Sequence, residues 1–286
     1  MKFLISGASG LVGRDLVFYL LKENHKIFAT YRNKNKVQRD INHKKLKWVK
    51  LDLKKKIKLK KKVDVIIHCA VAHPFSKKNN TDNYLGSNII SLMNVVSFAK
   101  KSNTKLIINL SSLKAYGEIN QNRLNENYNP TKQDFLGVTK FFSEKYLFEQ
   151  PINFINLRLP GVLCLTKNNP RPWLQTVINK IKKNQDVKLH NIDSNFNNVI
   201  DTEEISRFII KIIKKKKKIR DTFNLSASRP IKLRKIIEMI KLRYNSKSKI
   251  INKKLKNKSF IILSEKLKKN FNFNPLSTKK IVNRNI

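Results

Sequence analysis

Short apolar runs alternate with longer segments of helical periodicity along the first part of the chain. The runs are apolar at nearly every position, which is typical of strands buried on both faces of a parallel sheet. The predicted strands are Phe3–Ile5, Lys26–Tyr31, Leu46–Leu53, Val63–Ala70, Lys105–Leu110 and Asn153–Leu159, and the predicted helices are Leu11–Glu23, Asn83–Lys101 and Phe135–Gln150. This order predicts an α/β fold with a doubly wound parallel sheet that binds ligands at the carboxyl ends of its strands.

The rhythm changes after Pro160, where the elements become shorter. The pattern predicts helices at Leu174–Lys183, Glu203–Lys216 and Lys232–Tyr244, and strands at Val187–Leu189, Val199–Ile200 and Thr222–Ser226. We expect Thr202 to cap the helix at Glu203, because its hydroxyl can accept a free N–H group of the first turn. The sequence therefore predicts a main domain of residues 1–160 and a small α+β substrate lobe of residues 161–286, with some late segments returning to the main domain.

A glycine-rich loop separates the first predicted strand from the first predicted helix. The whole chain contains seven glycines, and three of them, Gly7, Gly10 and Gly13, lie here at intervals of three. We expect Gly7 to allow a sharp turn, Gly10 to let a pyrophosphate approach the backbone, and Gly13 to let the helix pack closely. Free N–H groups and the helix dipole would then bind the phosphates. The loop predicts a Rossmann-type dinucleotide site formed by Gly7, Ser9, Gly10, Leu11, Val12 and Gly13.

The residue after the second predicted strand bears on the choice of cofactor. An acidic side chain near this point accepts hydrogen bonds from the ribose of NAD, whereas an arginine accommodates the 2′-phosphate of NADP. Arg32 occupies the position, and Lys34 and Lys36 follow it. We therefore predict NADP(H) over NAD(H), with an incidental arginine in a basic chain as the alternative.

The net charge of +43 and the isoelectric point near 10.4 are the unusual features of the composition. Such a charge is compatible with binding to nucleic acid or to an anionic membrane. The lysines are scattered over nearly every predicted helix and loop, with denser runs at Lys54–Lys62 and Lys214–Lys218. We therefore favour a solvated basic surface over a nucleic-acid groove, and expect this surface to attract anionic ligands such as nucleotides.

Two cysteines, Cys69 and Cys164, lie within apolar runs, so we expect structural burial rather than thiol catalysis or a disulfide framework. No His/Cys cluster has the spacing of metal ligands, and we predict no metal site. The N-terminus does not resemble a signal peptide, and no segment has the uninterrupted apolar length of a membrane span. The expectation is a cytoplasmic protein without a membrane span.

A series of matches in chain order resembles the extended short-chain dehydrogenase/reductases, the NAD(P)-dependent epimerases, dehydratases and reductases of nucleotide sugars. The matching segments are GASGLVG at Gly7–Gly13, Asp52-Leu53, His68-Cys69-Ala70, Asn88, SSLKAYG at Ser111–Gly117, Gly137–Lys140, NLRLPG at Asn156–Gly161, Phe196–Ile209 and Phe223–Ile237. The resemblance implies that Asp52, Leu53, Cys69, Ala70, Asn88, Lys140 and Pro160 join the loop in binding the cofactor. For Asp52 a strand-terminal cap, and for Asn88 a polar turn of the helix, remain alternatives.

In this family a hydride moves to or from nicotinamide while a tyrosine exchanges a proton with the sugar oxygen. A lysine four residues later lowers the pKa of the tyrosine and holds the nicotinamide ribose, and a serine hydrogen-bonds the sugar oxygen. Ser112 matches the serine and Lys140 matches the lysine, but Leu136 occupies the position of the tyrosine. Leucine has no proton to exchange, so the acid/base step cannot proceed as it does in the family.

Three explanations for Leu136 remain open. Another group, namely Tyr116, Tyr128, Tyr84 or His73, supplies the proton; the chemistry is slow; or the chain is a catalytically silent NADP(H)-binding protein with a regulatory or scaffold role. General acid/base catalysis contributes typically ~10²–10⁴-fold, so activity can survive its loss.

The leading hypothesis is an enzyme that acts on a nucleotide sugar in surface-polysaccharide synthesis. Arg158, Arg171 and Trp173, with His73, are predicted to bind the substrate, since arginines grip a diphosphate and an indole stacks on a base. Loop packing is the alternative for Arg171 and Trp173, which lie beside prolines. The family resemblance further implies a homodimer formed through the helices at Asn83–Lys101 and Phe135–Gln150.

Overall fold

A computed structural model of the chain describes residues 1–34, 37, 41–72, 81–166, 172–215, 218–253 and 259–286. Backbone contacts divide the chain into two compact units. The first unit comprises Met1–Glu118, Asn129–Arg158 and Ile209–Phe223, and the second comprises Ile119–Tyr128, Leu159–Phe208 and Asn224–Ile286. Among the described residues, no helix has both the length and the apolar character that crossing a bilayer requires.

A seven-stranded parallel sheet forms the centre of the first unit. Its strands are β1 (Lys2–Ser6), β2 (Lys26–Tyr31), β3 (Leu46–Lys50), β4 (Val65–His68), β5 (Leu106–Ser112), β6 (Phe154–Leu159) and β7 (Arg220–Asn224). They lie in the order β7-β6-β5-β4-β1-β2-β3. The predicted doubly wound α/β fold is confirmed. The chain reverses its direction across the sheet between β1 and β4, and such a switch point opens a ligand crevice at the carboxyl ends of these strands.

Three helical segments of the first unit contribute to the site. They are α1 (Leu11–Lys22), the run α2, which joins α-helix Thr81–Tyr84, π-helix Leu85–Ile90 and α-helix Ser91–Lys101, and α3 (Phe135–Phe148). Apolar side chains of α2 and α3, including Val95 and Leu147, pack with Phe154 and Ile107 of the sheet in one buried cluster. Burial of this kind orients the helices, because an amphipathic helix gains most of its stability from its packed face.

Some predicted elements end elsewhere in the structure. The third strand stops at Lys50 rather than Leu53, because the Asp52 carboxylate accepts the Lys54 N–H at 3.1 Å and closes a turn. No helix or strand forms in the lysine-rich segment Lys54–Lys62. The long second helix begins at Thr81 rather than Asn83 and contains a π-helical segment, which helical periodicity does not predict.

The second unit contains short elements. Its helices are Trp173–Lys182, Leu233–Arg243, Glu265–Phe271 and Thr278–Asn285, together with the first part of Thr202–Ile213. Its strand pairs are Gly161–Leu163 with Val199–Asp201, Val187–His190 with Ile250–Lys253, Asn195–Phe196 with Ile231–Lys232, and Arg123–Leu124 with Ile261–Ile262. The strands after Tyr244, Ile250–Lys253 and Ile261–Ile262, were not predicted from the sequence. They are only four and two residues long and lack a hydrophobic period.

The prediction that Thr202 caps its helix was wrong. The helix includes Thr202, and the carboxylate of the preceding Asp201 accepts the Glu204 N–H at 2.8 Å. Asp201 is 3% exposed, and its carboxylate forms an ion pair with the guanidinium of Arg284 in the last helix at 2.7 Å. Arg284 also pairs with Glu203 at 2.7 Å. These ion pairs hold the C-terminal helix Thr278–Asn285 to the acidic first turn of the helix Thr202–Ile213.

A row of buried polar side chains crosses five strands of the central sheet. Ser6 lies opposite His68 in the β1–β4 ladder, and His68 lies opposite Asn109 in the β4–β5 ladder. The Ser6 Oγ and His68 Nδ1 atoms are 2.8 Å apart. Asn109 Nδ2 donates to Asn156 Oδ1 at 2.9 Å, and Asn156 Nδ2 donates to Thr222 Oγ1 at 3.1 Å. The row makes the register of the strands specific, since a slipped strand would leave these groups without partners.

Burial and, to a smaller extent, the charge of Lys140 lower the pKa of His68 to about 3. Between this value and the ordinary 6.5, the unfolded chain binds a proton that the folded chain does not bind. We therefore expect the free energy of unfolding to fall as the pH falls below 6.5, by up to about 1.4 kcal/mol per pH unit from this residue alone. Urea unfolding of the parent and of His68→Asn at several pH values measures the difference. Parallel profiles of the two proteins would contradict the prediction.

Candidate functional site

The turn after β1 has the geometry that the glycine pattern predicts. Gly7 has φ of +68°, a conformation that residues with a Cβ rarely adopt. A Cβ on Gly7 would lie 2.7 Å from the Ala70 backbone nitrogen, and a Cβ on Gly13 would lie 2.5 Å from the Gly7 carbonyl oxygen. The Gly7 N–H donates to Thr30 Oγ1 at 3.1 Å. These contacts bring the carboxyl ends of β1, β2 and β4 against the start of α1.

The first turn of α1 fits an anionic diphosphate. Gly10 is the N-cap residue and supplies no side-chain hydrogen bond, and no acidic side chain lies in the first turn. The N–H groups of a first helical turn have no partner within the helix, and the helix dipole is positive at this end. The loop therefore has both the space and the donors for the pyrophosphate of a dinucleotide.

Cys69 and Ala70 follow β4 and adjoin this turn. The Cys69 N–H donates to the Ser6 carbonyl at 3.1 Å, which continues the β1–β4 ladder into the loop. Burial raises the pKa of the Cys69 thiol to about 12, although the charge of Lys140 opposes this shift. A thiol of this kind stays protonated and is a poor nucleophile. Cys69 thus shapes the predicted cofactor site without reactive chemistry.

Three predicted contacts of the adenosine half lie on the other side of β1. Arg32 directly follows β2 and is exposed, and it forms no ion pair within the described part of the chain. Asp52 is also exposed and holds the turn after β3, as noted above. Leu53 is partly buried, and its carbonyl accepts Asn94 Nδ2 at 2.9 Å. Arg32, Asp52 and Leu53 all follow closely on the carboxyl ends of β2 and β3.

Asn88 lies in the π-helical segment of α2 and is 3% exposed. Its Oδ1 accepts the Ala72 N–H at 2.7 Å, and its Nδ2 donates to Thr139 Oγ1 at 2.9 Å. The amide therefore joins three segments, namely α2, the chain after β4 and α3. The contact of Asn88 with cofactor stays a prediction.

The structure places Ser112 and Lys140 at the carboxyl end of β5. Ser112 is the last residue of the strand, and its hydroxyl accepts the Lys114 N–H at 3.2 Å. Lys140, on α3, is 7% exposed and donates from Nζ to the Leu110 carbonyl at 2.7 Å. Leu136 precedes Lys140 by one helical turn and is also 7% exposed. The family's serine, lysine and tyrosine positions therefore share one edge of the sheet.

The amine of Lys140 is electrostatically unusual. Burial lowers its pKa to about 8, and the nearby Cys69 and Glu144 act in the opposite direction. An amine with a pKa near neutrality exists in both protonation states at physiological pH, and its charged form is a strong donor to oxygen. Lys140 can therefore hold a ribose or stabilise a neighbouring anion.

Arg158, a predicted substrate ligand, lies in a buried ion pair. Its Nη2 is 2.6 Å from Glu144 Oε2, and its Nε donates to both carboxylate oxygens at 3.1 Å. Ser111 also donates to this carboxylate, and the Arg158 guanidinium stacks on the Tyr116 ring at 4.2 Å. Although burial alone lowers the pKa of Arg158, the hydrogen bonds and charge of Glu144 hold it above its usual value. This arrangement fixes α3 to β6 and leaves Nη1 of Arg158 buried without a hydrogen-bond partner in the described part of the chain, and the substrate role of Arg158 stays a prediction.

The remaining predicted site residues lie in the second unit or outside the described residues. Trp173 begins a helix of the second unit and is 43% exposed, with its ring edge-on to Phe196 at 5.4 Å. Pro160, predicted to bind the cofactor, is partly buried after β6. Both roles stay predictions. His73 and Arg171 lie outside the described residues.

The tyrosines proposed as substitutes for Leu136 have different surroundings. Tyr116 is fully buried beneath Arg158. The hydroxyl of Tyr128, in the second unit, accepts the Asn120 N–H at 3.3 Å. Tyr84, at the start of α2, is 8% exposed and shares an apolar cluster with Leu136 and Ala72.

Sequence reasoning did not single out Glu144. It lies four residues after Lys140 and eight after Leu136, so helical spacing places all three on one side of α3. An acidic residue on the buried face of a helix was the available signal, since such a residue needs a buried cation. In the described ranges, no group of three or more His, Cys, Asp or Glu side chains is placed to hold a metal ion.

A family model and a protein of known activity match most of the chain. The family model described as "NAD dependent epimerase/dehydratase family" matches residues 3–226. The CDP-abequose synthase of Salmonella muenchen is 25% identical over 267 residues, which are 87% of this chain and 83% of that protein.

Solved structures show the same fold at lower sequence identity. UDP-glucuronic acid 4-epimerase from Bacillus cereus, solved with NAD, has a TM-score of 0.83 at 18% identity and covers 100% of this chain and 97% of its own. The Bordetella bronchiseptica enzyme WbmG, solved with NAD and UDP, has a TM-score of 0.82 at 15% identity and covers 100% of this chain and 93% of its own. The predicted family resemblance is confirmed: the chain belongs to the NAD-dependent epimerase/dehydratase family, among the extended short-chain dehydrogenase/reductases.

Proposed function

We propose that the chain is an NADP(H)-dependent enzyme that epimerises, dehydrates or reduces a nucleotide sugar. The observation that carries the proposal is the joint placement of the glycine turn at Gly7 and the buried amine of Lys140 at one edge of the sheet. The turn fits the diphosphate of a dinucleotide, and the amine fits the ribose and reacting end. Ser112 supplies a hydroxyl on the strand to which Lys140 is bound.

The relatives support a nucleoside diphosphate sugar as the substrate. One is a CDP-abequose synthase, and a structural neighbour from Thermotoga maritima is a UDP-glucose 4-epimerase solved with UDP-glucose. The net charge of +43 favours capture of an anionic substrate. We place the enzyme in the cytoplasm and in surface-polysaccharide synthesis, and we assign Trp173 to stacking on the base of the nucleotide.

Incubation with NADP⁺ or NADPH and a panel of CDP-, UDP-, GDP- and dTDP-sugars tests the activity. Chromatography and NMR of the sugar product are the measurements, because an epimerase causes no net change in the cofactor. We expect one sugar class to be converted, and conversion to be lost in Lys140→Met. Binding of NADP(H) without conversion of any sugar would instead support the silent regulatory or scaffold protein that Leu136 favours.

The preference for NADP(H) depends on Arg32, which follows β2 where the adenosine ribose of a dinucleotide binds in this fold. A hydrogen bond to a charged group contributes about 1.5–3 kcal/mol. We therefore expect Arg32→Ala to weaken NADPH binding by roughly 10- to 100-fold and to leave NADH binding unchanged. Fluorescence titration measures both constants.

Lys2→Ala is the matched control, because it removes one exposed positive charge at the opposite end of β1. Equal losses of NADPH affinity in both variants would show an unspecific effect of charge. Tighter binding of NADH than of NADPH by the parent would overturn the preference.

We further propose that two copies of the chain associate through α2 and α3. Apolar side chains on these helices are 42–59% exposed: Leu85, Ile90, Met93, Phe135, Val138 and Phe142. Water-exposed apolar residues clustered in this way are typical of an interface between proteins. Phe142→Glu is expected to yield a monomer in sedimentation velocity, whereas Leu242→Glu, at an 85% exposed position of the second unit, leaves a dimer. A monomeric parent would contradict this proposal.

A further inference from the structure

A phenol ring packs beside the position where the family has its tyrosine. Leu136 of α3 and Tyr84 of α2 form a buried cluster with Ala72, and each is 7–8% exposed. Tyr84 also stacks on Phe135, the residue before Leu136, with ring centroids 6.2 Å apart and planes at 23°. The side chain of Tyr84 therefore lies against the first turn of α3, where a tyrosine at position 136 would begin.

Hydrogen bonds hold Tyr84 in this place through its own helix. Asn88, one helical turn after Tyr84, binds the Ala72 N–H and Thr139 Oγ1 at 2.7 and 2.9 Å. Ser143 of α3 donates to the Asn88 carbonyl at 3.4 Å. The start of α2 is thus fixed both to α3 and to the chain after β4, which leads from the switch point of the sheet. These contacts set the position of Tyr84 relative to Leu136 and Lys140.

The hydroxyl of Tyr84 is available, unlike those of the other candidates. Tyr116 is fully buried under Arg158, and the Tyr128 hydroxyl accepts a backbone N–H. In the ranges that the structure describes, no hydrogen bond engages the Tyr84 hydroxyl. A phenol whose hydroxyl has no partner in the described part of the protein can exchange a proton with a bound substrate. The Tyr84 ring contacts Leu136, and Lys140 follows Leu136 by one helical turn of α3.

We propose that Tyr84 is the catalytic acid/base of this chain and performs the proton exchange that Leu136 cannot perform. The proposal rests on the function proposed above. When a sugar hydroxyl is oxidised, the C–H bond breaks and its electron pair leaves as hydride to the nicotinamide, while the hydroxyl proton passes to the Tyr84 phenolate. When the sugar carbonyl is reduced, the hydride returns to carbon and the Tyr84 hydroxyl gives its proton to the carbonyl oxygen.

Tyr84→Phe tests the proposal, because it removes the hydroxyl and keeps the ring that packs on Leu136. General acid/base catalysis contributes ~10²–10⁴-fold, so we expect kcat for the nucleotide sugar to fall by about 100-fold or more with KM and cofactor affinity unchanged. Tyr146→Phe, a half-buried tyrosine of α3, is the matched control and keeps the parent's kcat. Leu136→Tyr in the Tyr84→Phe background is expected to restore turnover.

Ultraviolet difference spectroscopy at a fixed pH gives a readout that does not depend on turnover. The difference between parent and Tyr84→Phe isolates the absorbance of the Tyr84 ring. We expect this absorbance to differ between the complexes with NADP⁺ and with NADPH, because only the oxidised nicotinamide places a positive charge near the phenol. The same difference taken with Tyr146→Phe is expected to be equal with either cofactor.

The outcomes separate the two proposals. A parent that converts a nucleotide sugar together with an equally active Tyr84→Phe overturns the role of Tyr84 and leaves the proposed function standing. A parent that binds NADP(H) and converts no sugar overturns both. An absorbance of the Tyr84 ring that is identical with the two cofactors also overturns the proposal, since an acid/base at the reacting carbon lies beside the nicotinamide charge.

Discussion

The close backbone approach at the turn after β1 is the constraint on which the site depends. A Cβ on Gly7 would lie only 2.7 Å from the Ala70 nitrogen, and a Cβ on Gly13 would lie only 2.5 Å from the Gly7 carbonyl oxygen. Two strand ends and a helix start therefore meet without side chains between them. A larger residue at either position would separate α1 from the sheet and close the space for a diphosphate. The turn thereby sets the position of the neighbouring residues that are predicted to bind the cofactor.

The interior on the opposite side of the switch point is unusually polar. Glu144 and Arg158 are 2% and 6% exposed, and Lys140 is buried beside them. A buried ion pair is a weak source of stability because both charges lose their water, whereas removal of one partner leaves an uncompensated charge. Ser111 and the ring of Tyr116 complete the surroundings of this pair. We interpret the cluster as the element that orients α3, and with it Leu136 and Lys140.

The parts that followed from the sequence are those in which a local pattern determines the structure. Apolar runs and glycine spacing were enough for the doubly wound α/β class and for the turn at Gly7, because each signal lies within a few residues. The order of the strands in the sheet was not predicted. The family resemblance placed Ser112 and Lys140 on one edge, and the ends of β5 and α3 meet there. The surroundings of Arg158 did not follow, because its partner Glu144 lies on a different element, 14 residues earlier, and meets it only after α3 packs on the sheet. The N-cap of the helix Thr202–Ile213 was predicted wrongly because two adjacent residues, Asp201 and Thr202, both have side chains that can cap a helix. The backbone geometry selected Asp201.

The position of β7 affects how the chain must fold during synthesis. Residues of the second unit separate β6 from β7 in sequence, yet the two strands are neighbours in one sheet. Until Arg220–Asn224 leaves the ribosome, the hydrogen-bonding groups on one side of β6 have no strand partner. β6 is buried along its whole length in the folded chain and four of its six residues are apolar, so its unpaired edge is prone to pair with other chains. The first unit therefore cannot be completed before Leu159–Phe208 of the second unit is synthesised, and a fragment ending near residue 160 would expose the unpaired edge of β6 rather than form an independent domain.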